Sequence, residues 1–292
     1  MGFKKALVIG SNGMLGRAFS KELETLNVEP IKVARTNANY CLDLMNLEII
    51  PKIINESNSD IVINCAGLVS LKECESKPLI ANKINADLVD TLSKSCLKYD
   101  KKFIQISTDH FYINDKKKLH KESDDIKIVN QYAKTKRKGE LNALKNPDSI
   151  VVRTNITGLR GNSSKPTFFE WLYASLIKKS NISLFNDFYT STISAELLAK
   201  YTILISKLNI KGLINIASSE CISKKDFALL LANNLSINFD WYENASVKSL
   251  KPYRADSLGL DCSKVENILQ TKMPKAKEVI KNLVNSIKNN QN

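Results

Sequence analysis

A chain of 292 residues, 43% hydrophobic and 25% charged, has room for one large domain or two modest ones with well-buried cores, and its composition is that of an ordinary soluble globular protein. Six cysteines without a CxxC pair and only two histidines, His110 and His120, argue against a zinc or iron centre and for reduced thiols. The net charge of +13 comes in doublets and triplets such as Lys4-Lys5, Lys116-Lys117-Lys118, Lys178-Lys179 and Lys224-Lys225. Without interleaved aromatics these read as solvated faces and not as a nucleic-acid surface, while the positive field favours a small, multiply anionic ligand.

The opening "MGFKKALVIG" has two lysines before an apolar run, but that run is too short for a secretory leader and no cleavage site follows it. No stretch reaches the ~18 apolar residues that a membrane span needs. A cytoplasmic location with no membrane contact is therefore expected. "KKALVIG" (4–10) reads as a buried strand, "MLGRAFSKELETL" (14–26) as a helix, "PIKVA" (30–34) and "DIVINCAG" (60–67) as the next two strands. Residues 79–98 read as one helix with Leu88, Leu92, Cys96 and Leu97 on a shared face, followed by the strand "KKFIQIST" (101–108), a polar loop, a helix carrying Tyr132, and the strand "DSIVVRT" (148–154). Apolar strands separated by helices predict an α/β doubly wound parallel sheet over residues 1–155.

Beyond 155 the alternation breaks. "GLRGNSSKP" (158–166) is a loop, "TFFEWLYASLIKK" (167–179) an amphipathic helix and "NISLF" (181–185) a strand. A helix at 194–208, the strand "GLINIA" (212–217), a helix opened by Ser223 and a helical tail around a Pro-containing linker follow. Residues 156–292 thus read as a smaller C-terminal substrate lobe, partly interleaved with the sheet. On the helix at 167–179, Glu170, Trp171 and Tyr173 suit core packing or a subunit contact better than catalysis.

In "ALVIGSNGMLGRAF" the glycines Gly10, Gly13 and Gly16 stand between the first strand and the first helix. Glycine permits a tight turn and close approach of backbone to a pyrophosphate, and the helix N-terminus offers N–H groups and partial positive charge. Ser11, Asn12, Met14 and Leu15 complete that turn. The spacing is GxxGxxG, one residue longer in its first gap than the common dinucleotide fingerprint. At the end of the second strand, where a carboxylate would bind the 2′-hydroxyl of NAD, stands Arg35. A cation there suits the 2′-phosphate of NADP, with NAD also possible and a plain surface side chain as the alternative. Asp43 and Leu44, in "CLDL", suit the adenine; capping of a helix that starts near Asn46 competes for Asp43.

"NQYAKTKRKGE" places Tyr132 and Lys136 at i, i+4, on one face of a helix that starts soon after the strand ending in Thr108. An ammonium close to a phenol favours the phenolate, and a strand-end hydroxyl can hold a carbonyl, so the trio suits proton donation to an alkoxide. Tyr112 and Lys116 share the spacing but run through Asn114-Asp115 into three lysines, a loop sequence.

These residues resemble the extended short-chain dehydrogenase/reductases with their Rossmann sheet, and within them the dTDP-4-dehydrorhamnose reductase and sugar-nucleotide-binding subfamily. The resemblance runs nearly end to end through "GSNGMLG", "DIVINCAGLVSLKECESKP", "ISTDHFY", "NQYAKTKRKGE", "VVRTNITG", "DFYTSTIS", "GLINIASSECISKKDFA" and "RADSLGLDCSKV". It implies that Thr108, Tyr132 and Lys136 are catalytic, with Lys136 also on the nicotinamide ribose. It puts Cys65-Ala66-Gly67 under the cofactor, Asn85 as support, Asp109 and Ile156 near the sugar, and Arg254 at the pyrophosphate. His110-Phe111-Tyr112, Ile156, Thr190-Ser191-Thr192 and Ala255 depart from the subfamily's usual residues, all on the substrate side. The activity implied is NAD(P)H-dependent reduction of a nucleotide-activated 4-keto-6-deoxysugar, in deoxysugar or surface-polysaccharide biosynthesis, by a possible homodimer. A non-catalytic NADP-binding subunit and a sugar-nucleotide epimerase or dehydratase of the same fold are the alternatives.

Overall fold

A computed structural model describes residues 2–160 and 165–291; residues 161–164 of the expected loop at 158–166 lie outside the described residues. In chain order the elements are β1 (Lys5–Ile9), α1 (Met14–Thr25), β2 (Glu29–Ala34), β3 (Tyr40–Cys41), α2 (Ile50–Glu56), β4 (Ile61–Asn64), α3 (Leu71–Ser76) and α4 (Pro78–Asn82). A π-turn (Lys83–Asp87), α5 (Leu88–Lys98), β5 (Lys102–Ile106), β6 (Leu119–His120), α6 (Gln131–Leu144), β7 (Ile150–Arg153) and β8 (Ile156–Thr157) follow. Then come α7 (Phe168–Ile177), β9 (Ile182–Phe185), β10 (Tyr189–Thr190), β11 (Ile193–Ser194), α8 (Ala195–Ser206), β12 (Gly212–Asn215) and β13 (Ile222–Ser223). The last elements are α9 (Lys224–Asn234), β14 (Tyr242–Ala245), β15 (Ser257–Leu260), α10 (Ser263–Leu269) and α11 (Ala276–Gln291).

Two units divide the chain. The first is Met1–Thr108, Ile128–Arg153 and Ala199–Ile214, the second Asp109–Lys127, Thr154–Leu198 and Asn215–Asn292. A single cut at 155 therefore does not describe the packing, because 109–127 cross it in one direction and 199–214 in the other. The physical reason is strand order. β12 hydrogen-bonds beside β7 in the seven-stranded sheet, while β6 pairs with β15 in a four-stranded one.

The sheet of the first unit runs β12-β7-β5-β4-β1-β2-β3, and every ladder from β7 to β3 is parallel. All four residues of β4 and of β7 are buried, as strands covered on both faces must be. Their apolar side chains explain this. Leu7, Ile9, Val33, Val62, Phe103 and Val151 form one core with Ile53 and Ile54 of α2 and Leu88 and Leu92 of α5. From β1 the chain winds outward through β2 and β3, then returns to β4 and winds the other way, so the switch point lies between β1 and β4.

The expected helix over 79–98 runs unbroken from Pro78 to Lys98 but carries a π-turn. That turn, Lys83–Asp87, joins α4 to α5, and the inserted residue lets Asn85 turn inward. Gly139 of α6 packs against that turn: a Cβ there would stand 2.0 Å from the Asn85 carbonyl oxygen.

The second unit has the sheet β13-β10-β15-β6 and two parallel pairs, β8 with β11 and β9 with β14. Its core includes Phe169 and Leu172 of α7, Phe227 and Leu231 of α9, and Ile280 and Leu283 of α11. Capping boxes open α7 (Thr167 with Glu170) and α9 (Ser223 with Asp226). Glu170 is thus used in a cap.

Candidate active site

At the exit of β1, Gly10 takes φ +79°, a conformation strained for any other residue. Gly10 and Ser11 donate their N–H groups to the Val33 carbonyl at 2.9 and 3.1 Å, and Gly13 donates to the Gly10 carbonyl at 3.0 Å. A Cβ on Gly16 would stand 2.3 Å from the Gly10 oxygen, so α1 rests directly on the turn. Met14 and Leu15 open α1 with neither a side-chain cap nor an acid in the first turn. By contrast Asn130, Thr167 and Ser223 cap α6, α7 and α9. A Cβ on Gly10 would also meet the Ala66 nitrogen at 3.0 Å, so the exits of β1 and β4 touch at the switch point. A backbone cradle at an uncapped helix start fits the pyrophosphate of a dinucleotide.

Around the cradle, Asn12 donates its side-chain amide to the Thr36 carbonyl at 2.6 Å, holding the segment that contains the exposed Arg35 just past β2. Asp43 accepts from the Met45 N–H at 3.0 Å, closing a local turn; the next helix begins only at Ile50, so Asp43 caps no helix. Leu44 is half-buried beside it. Cys65 donates its N–H to the Ile9 carbonyl at 2.9 Å, and burial pushes its thiol well above the usual cysteine range, so it behaves as a small neutral side chain.

The Asn130 cap, which accepts from the Ala133 N–H at 2.8 Å, puts Tyr132 in the first turn of α6 and Lys136 one turn on. Tyr132 is half-buried; Lys136 is buried and donates to the Ile106 carbonyl at 2.7 Å. Ile106 ends β5, two residues before the buried Thr108. Burial lowers the Lys136 amine to about 8, and the negative charge of Glu140 works against that. Tyr112, the rival tyrosine, lies in coil and stacks on His120 with ring centroids 3.8 Å apart.

Asn85 ties this helix to the exit of β4. Its carboxamide oxygen accepts from the Leu68 N–H at 2.8 Å, while its amide donates to the Leu68 carbonyl at 3.0 Å and to the Thr135 hydroxyl at 3.1 Å. Thr135 in turn donates to the Tyr132 carbonyl at 3.1 Å. A Cβ on Gly67 would meet the Asn85 oxygen at 3.3 Å.

Sequence reasoning missed the pairs beneath these groups. Asn64 of β4 donates to Gln105 of β5 at 2.8 Å. Glu140 of α6 is bonded by Ser107 and, on both oxygens, by Arg153 of β7. The available signal was the arginine in "IVVR", because a charge in a buried strand requires a partner.

In the second unit, Asp109 and His110 are buried. Burial and the charge of Arg254 lower the His110 imidazole to about 4. Ile156 is half-buried in β8, opposite Ile193 of β11. A cavity of about 190 Å³ is lined by Phe168, Trp171, Leu184, Phe188, Lys224 and Arg254, among others. The Lys224 ammonium stands 4.5 Å from the Phe168 ring centroid and donates to the Thr192 hydroxyl at 3.3 Å. Burial lowers its amine to about 8, against the opposing charge of Asp109. The buried Nε of Arg254 has no hydrogen-bond partner among the described residues. Lys224 is therefore not the solvated face that its place in a lysine doublet suggested. Two cations among aromatic faces suit an anionic ligand with a flat portion.

A dinucleotide cradle at the switch point, with a tyrosine–lysine helix turn pinned to β5, is the layout of the extended short-chain dehydrogenase/reductases, and the chain falls in that class. Residues 4–289 match the family described as the RmlD substrate binding domain, and the chain belongs to that family. It is 25% identical over 284 residues to a probable low-salt glycan biosynthesis reductase of Haloferax volcanii, covering 92% of this chain and 93% of that one. The crystal structure of a hypothetical dTDP-4-dehydrorhamnose reductase from Sulfolobus tokodaii superposes with a TM-score of 0.82 at 27% identity, over 93% of this chain and 97% of that one. The Bacillus anthracis dTDP-4-dehydrorhamnose reductase in complex with NADP gives 0.87 at 18% identity, over 98% and 100%.

Proposed function

We propose that the protein is an NADPH-dependent reductase of a nucleotide-activated 4-keto-6-deoxysugar, acting in the cytoplasm in the biosynthesis of a deoxysugar or surface glycan. The observation that carries this reading is the bond from Lys136 to the Ile106 carbonyl, which anchors the tyrosine–lysine turn to the strand end that leads into Thr108. Gly10, Ser11, Gly13, Leu15 and Gly16 would hold the pyrophosphate, and Arg35 the 2′-phosphate of NADP. Ala66 and Gly67 would pass under the cofactor and Asp43 would face the adenine. When bound, the nicotinamide supplies the hydride.

The protein's own part is proton chemistry. The Tyr132 phenol gives its proton to the carbonyl oxygen as negative charge develops there. The Lys136 ammonium stabilises the phenolate left behind, and the Thr108 hydroxyl orients the carbonyl. In the second unit Asp109 and Ile156 would contact the sugar, while Arg254 and Lys224 would bind the diphosphate. The name of the Sulfolobus tokodaii relative supports this substrate class, and that of the Haloferax volcanii relative a reductase in glycan biosynthesis.

Tyr132→Phe is the test. It should lower kcat by about 10²- to 10⁴-fold, the usual worth of a general acid, while NADPH affinity by fluorescence titration stays unchanged. Unaltered turnover in that variant would remove Tyr132 from the chemistry.

A further inference from the structure

Behind Lys136 the first unit holds a buried ionic knot. The Glu140 side chain is fully enclosed and sits one helical turn beyond Lys136, on the same face of α6. One carboxylate oxygen accepts from Arg153 Nη2 at 2.7 Å and from the Arg137 guanidinium; the other accepts from Arg153 Nε at 3.0 Å and from the Ser107 hydroxyl at 2.9 Å. Arg153 is the last residue of β7, and the Ser107 N–H continues the ladder by donating to Val152 at 2.7 Å. One side chain on the tyrosine–lysine helix thus grips the ends of two strands, one of them next to Thr108.

A purely structural ion pair has no need of this place. Buried pairs give little net stability over well-packed apolar residues, because desolvation offsets the attraction. The four donors, on two guanidinium groups and a hydroxyl, fix the carboxylate rigidly one helical turn from Lys136, the buried lysine of α6, and its charge opposes the desolvation of that amine.

We propose that Glu140 is a positioning residue for the reaction: it locks the turn of α6 that bears Lys136 against Ser107 and the β5 end, and its charge keeps Lys136 an ammonium. This rests on the reductase reading for its catalytic meaning but not for its geometry. The other groups facing Lys136 do not substitute for it. Cys65 and Cys74 are pushed up by burial and stay neutral near pH 7. Glu75 of α3 bonds the Gln131 N–H at 2.8 Å. Asp87 and Asp90, on the π-turn and α5, pair with Lys138 and Lys145.

Two variants test it. Glu140→Gln keeps size but removes the charge and one of the two acceptor oxygens; Glu140→Gln with Arg153→Met removes both buried charges, so that no fully buried guanidinium is left unpaired to unfold the protein. In Glu140→Gln the alkaline limb of the kcat–pH profile should move acid-ward by about one pH unit, and in the double variant by less, because the lost guanidinium offsets the lost carboxylate. The Cε resonance of Lys136 in lysine-labelled protein without cofactor, assigned through Lys136→Met, should titrate at lower pH by the same amounts. An unshifted Lys136 titration in folded Glu140→Gln, or a folded double variant that keeps wild-type kcat, overturns the proposal. A wild-type protein inactive towards keto-sugar nucleotides, with the titration shifted as stated, overturns the reductase reading and leaves the positioning role of Glu140 in place.

Discussion

Lys136 shows how one residue's surroundings set its chemistry. Its four-carbon stem is buried and its ammonium faces one carbonyl, Ile106, so desolvation brings the amine down to about 8. The ammonium is the form that stabilises a phenolate, and it is lost as pH rises through that value. Reductive kcat should therefore fall on the alkaline side with a limb near 8, read from initial rates at saturating cofactor and substrate; a rate flat to about pH 10, the range of an unperturbed lysine, would show that the ammonium plays no part. At this scale the sequence was legible for Tyr132, Lys136 and the glycines, since spacing along one helix or one turn fixes their neighbours. It misled on Lys224, whose doublet read as a solvated face. A lysine that follows a helix cap looks the same in sequence whether it meets water or the Phe168 ring.

Among the elements, the π-turn at Lys83–Asp87 links the exit of β4 to α6, because the extra residue turns Asn85 towards Leu68 and Thr135. Gly139 permits the contact. Gly139→Ala would put a methyl 2.0 Å from the Asn85 carbonyl oxygen, backbone that cannot swing aside. The variant should lose about 1–3 kcal/mol in urea unfolding and also raise the Kd for NADPH, since α6 and the Asn85 bridge move together; unchanged stability would mean the helix pair slides freely. Periodicity predicted a single helix over 79–98, and the span is helical throughout, with the π-turn as an added local feature. Nothing in "ANKINADLV" signals an inserted residue; Asn85 of the π-turn finds its partners in Leu68 and in Thr135 of α6. The strands were legible because buried parallel strands are mostly apolar, with Asn64 at the end of β4 hydrogen-bonded to Gln105. Arg153 is a buried charge among them, and its partner Glu140 lies 13 residues away in another element.

For the whole molecule, the stop in strand–helix alternation at residue 155 was readable, but the interleaving of the two units was legible only in part. That β12 joins one sheet and β6 another depends on long-range pairing that leaves no local mark. The net charge of +13 should act on substrate capture and not on chemistry. Raising ionic strength from about 0.05 to 0.5 M, which shortens the Debye length severalfold, should lower kcat/KM for a diphosphate sugar while kcat holds; a salt-independent kcat/KM would contradict electrostatic capture. The central claim is hydride delivery to a sugar carbonyl carbon with the proton supplied by the protein. Its most direct measurement is mass analysis of the sugar nucleotide formed from a 4-keto-6-deoxysugar nucleotide and NADPH deuterated at the transferable position. The account predicts a product reduced by two hydrogens, one of them deuterium bound to carbon. A product that has lost water, or a sugar that is recovered unlabelled while the cofactor keeps its deuterium, would contradict it.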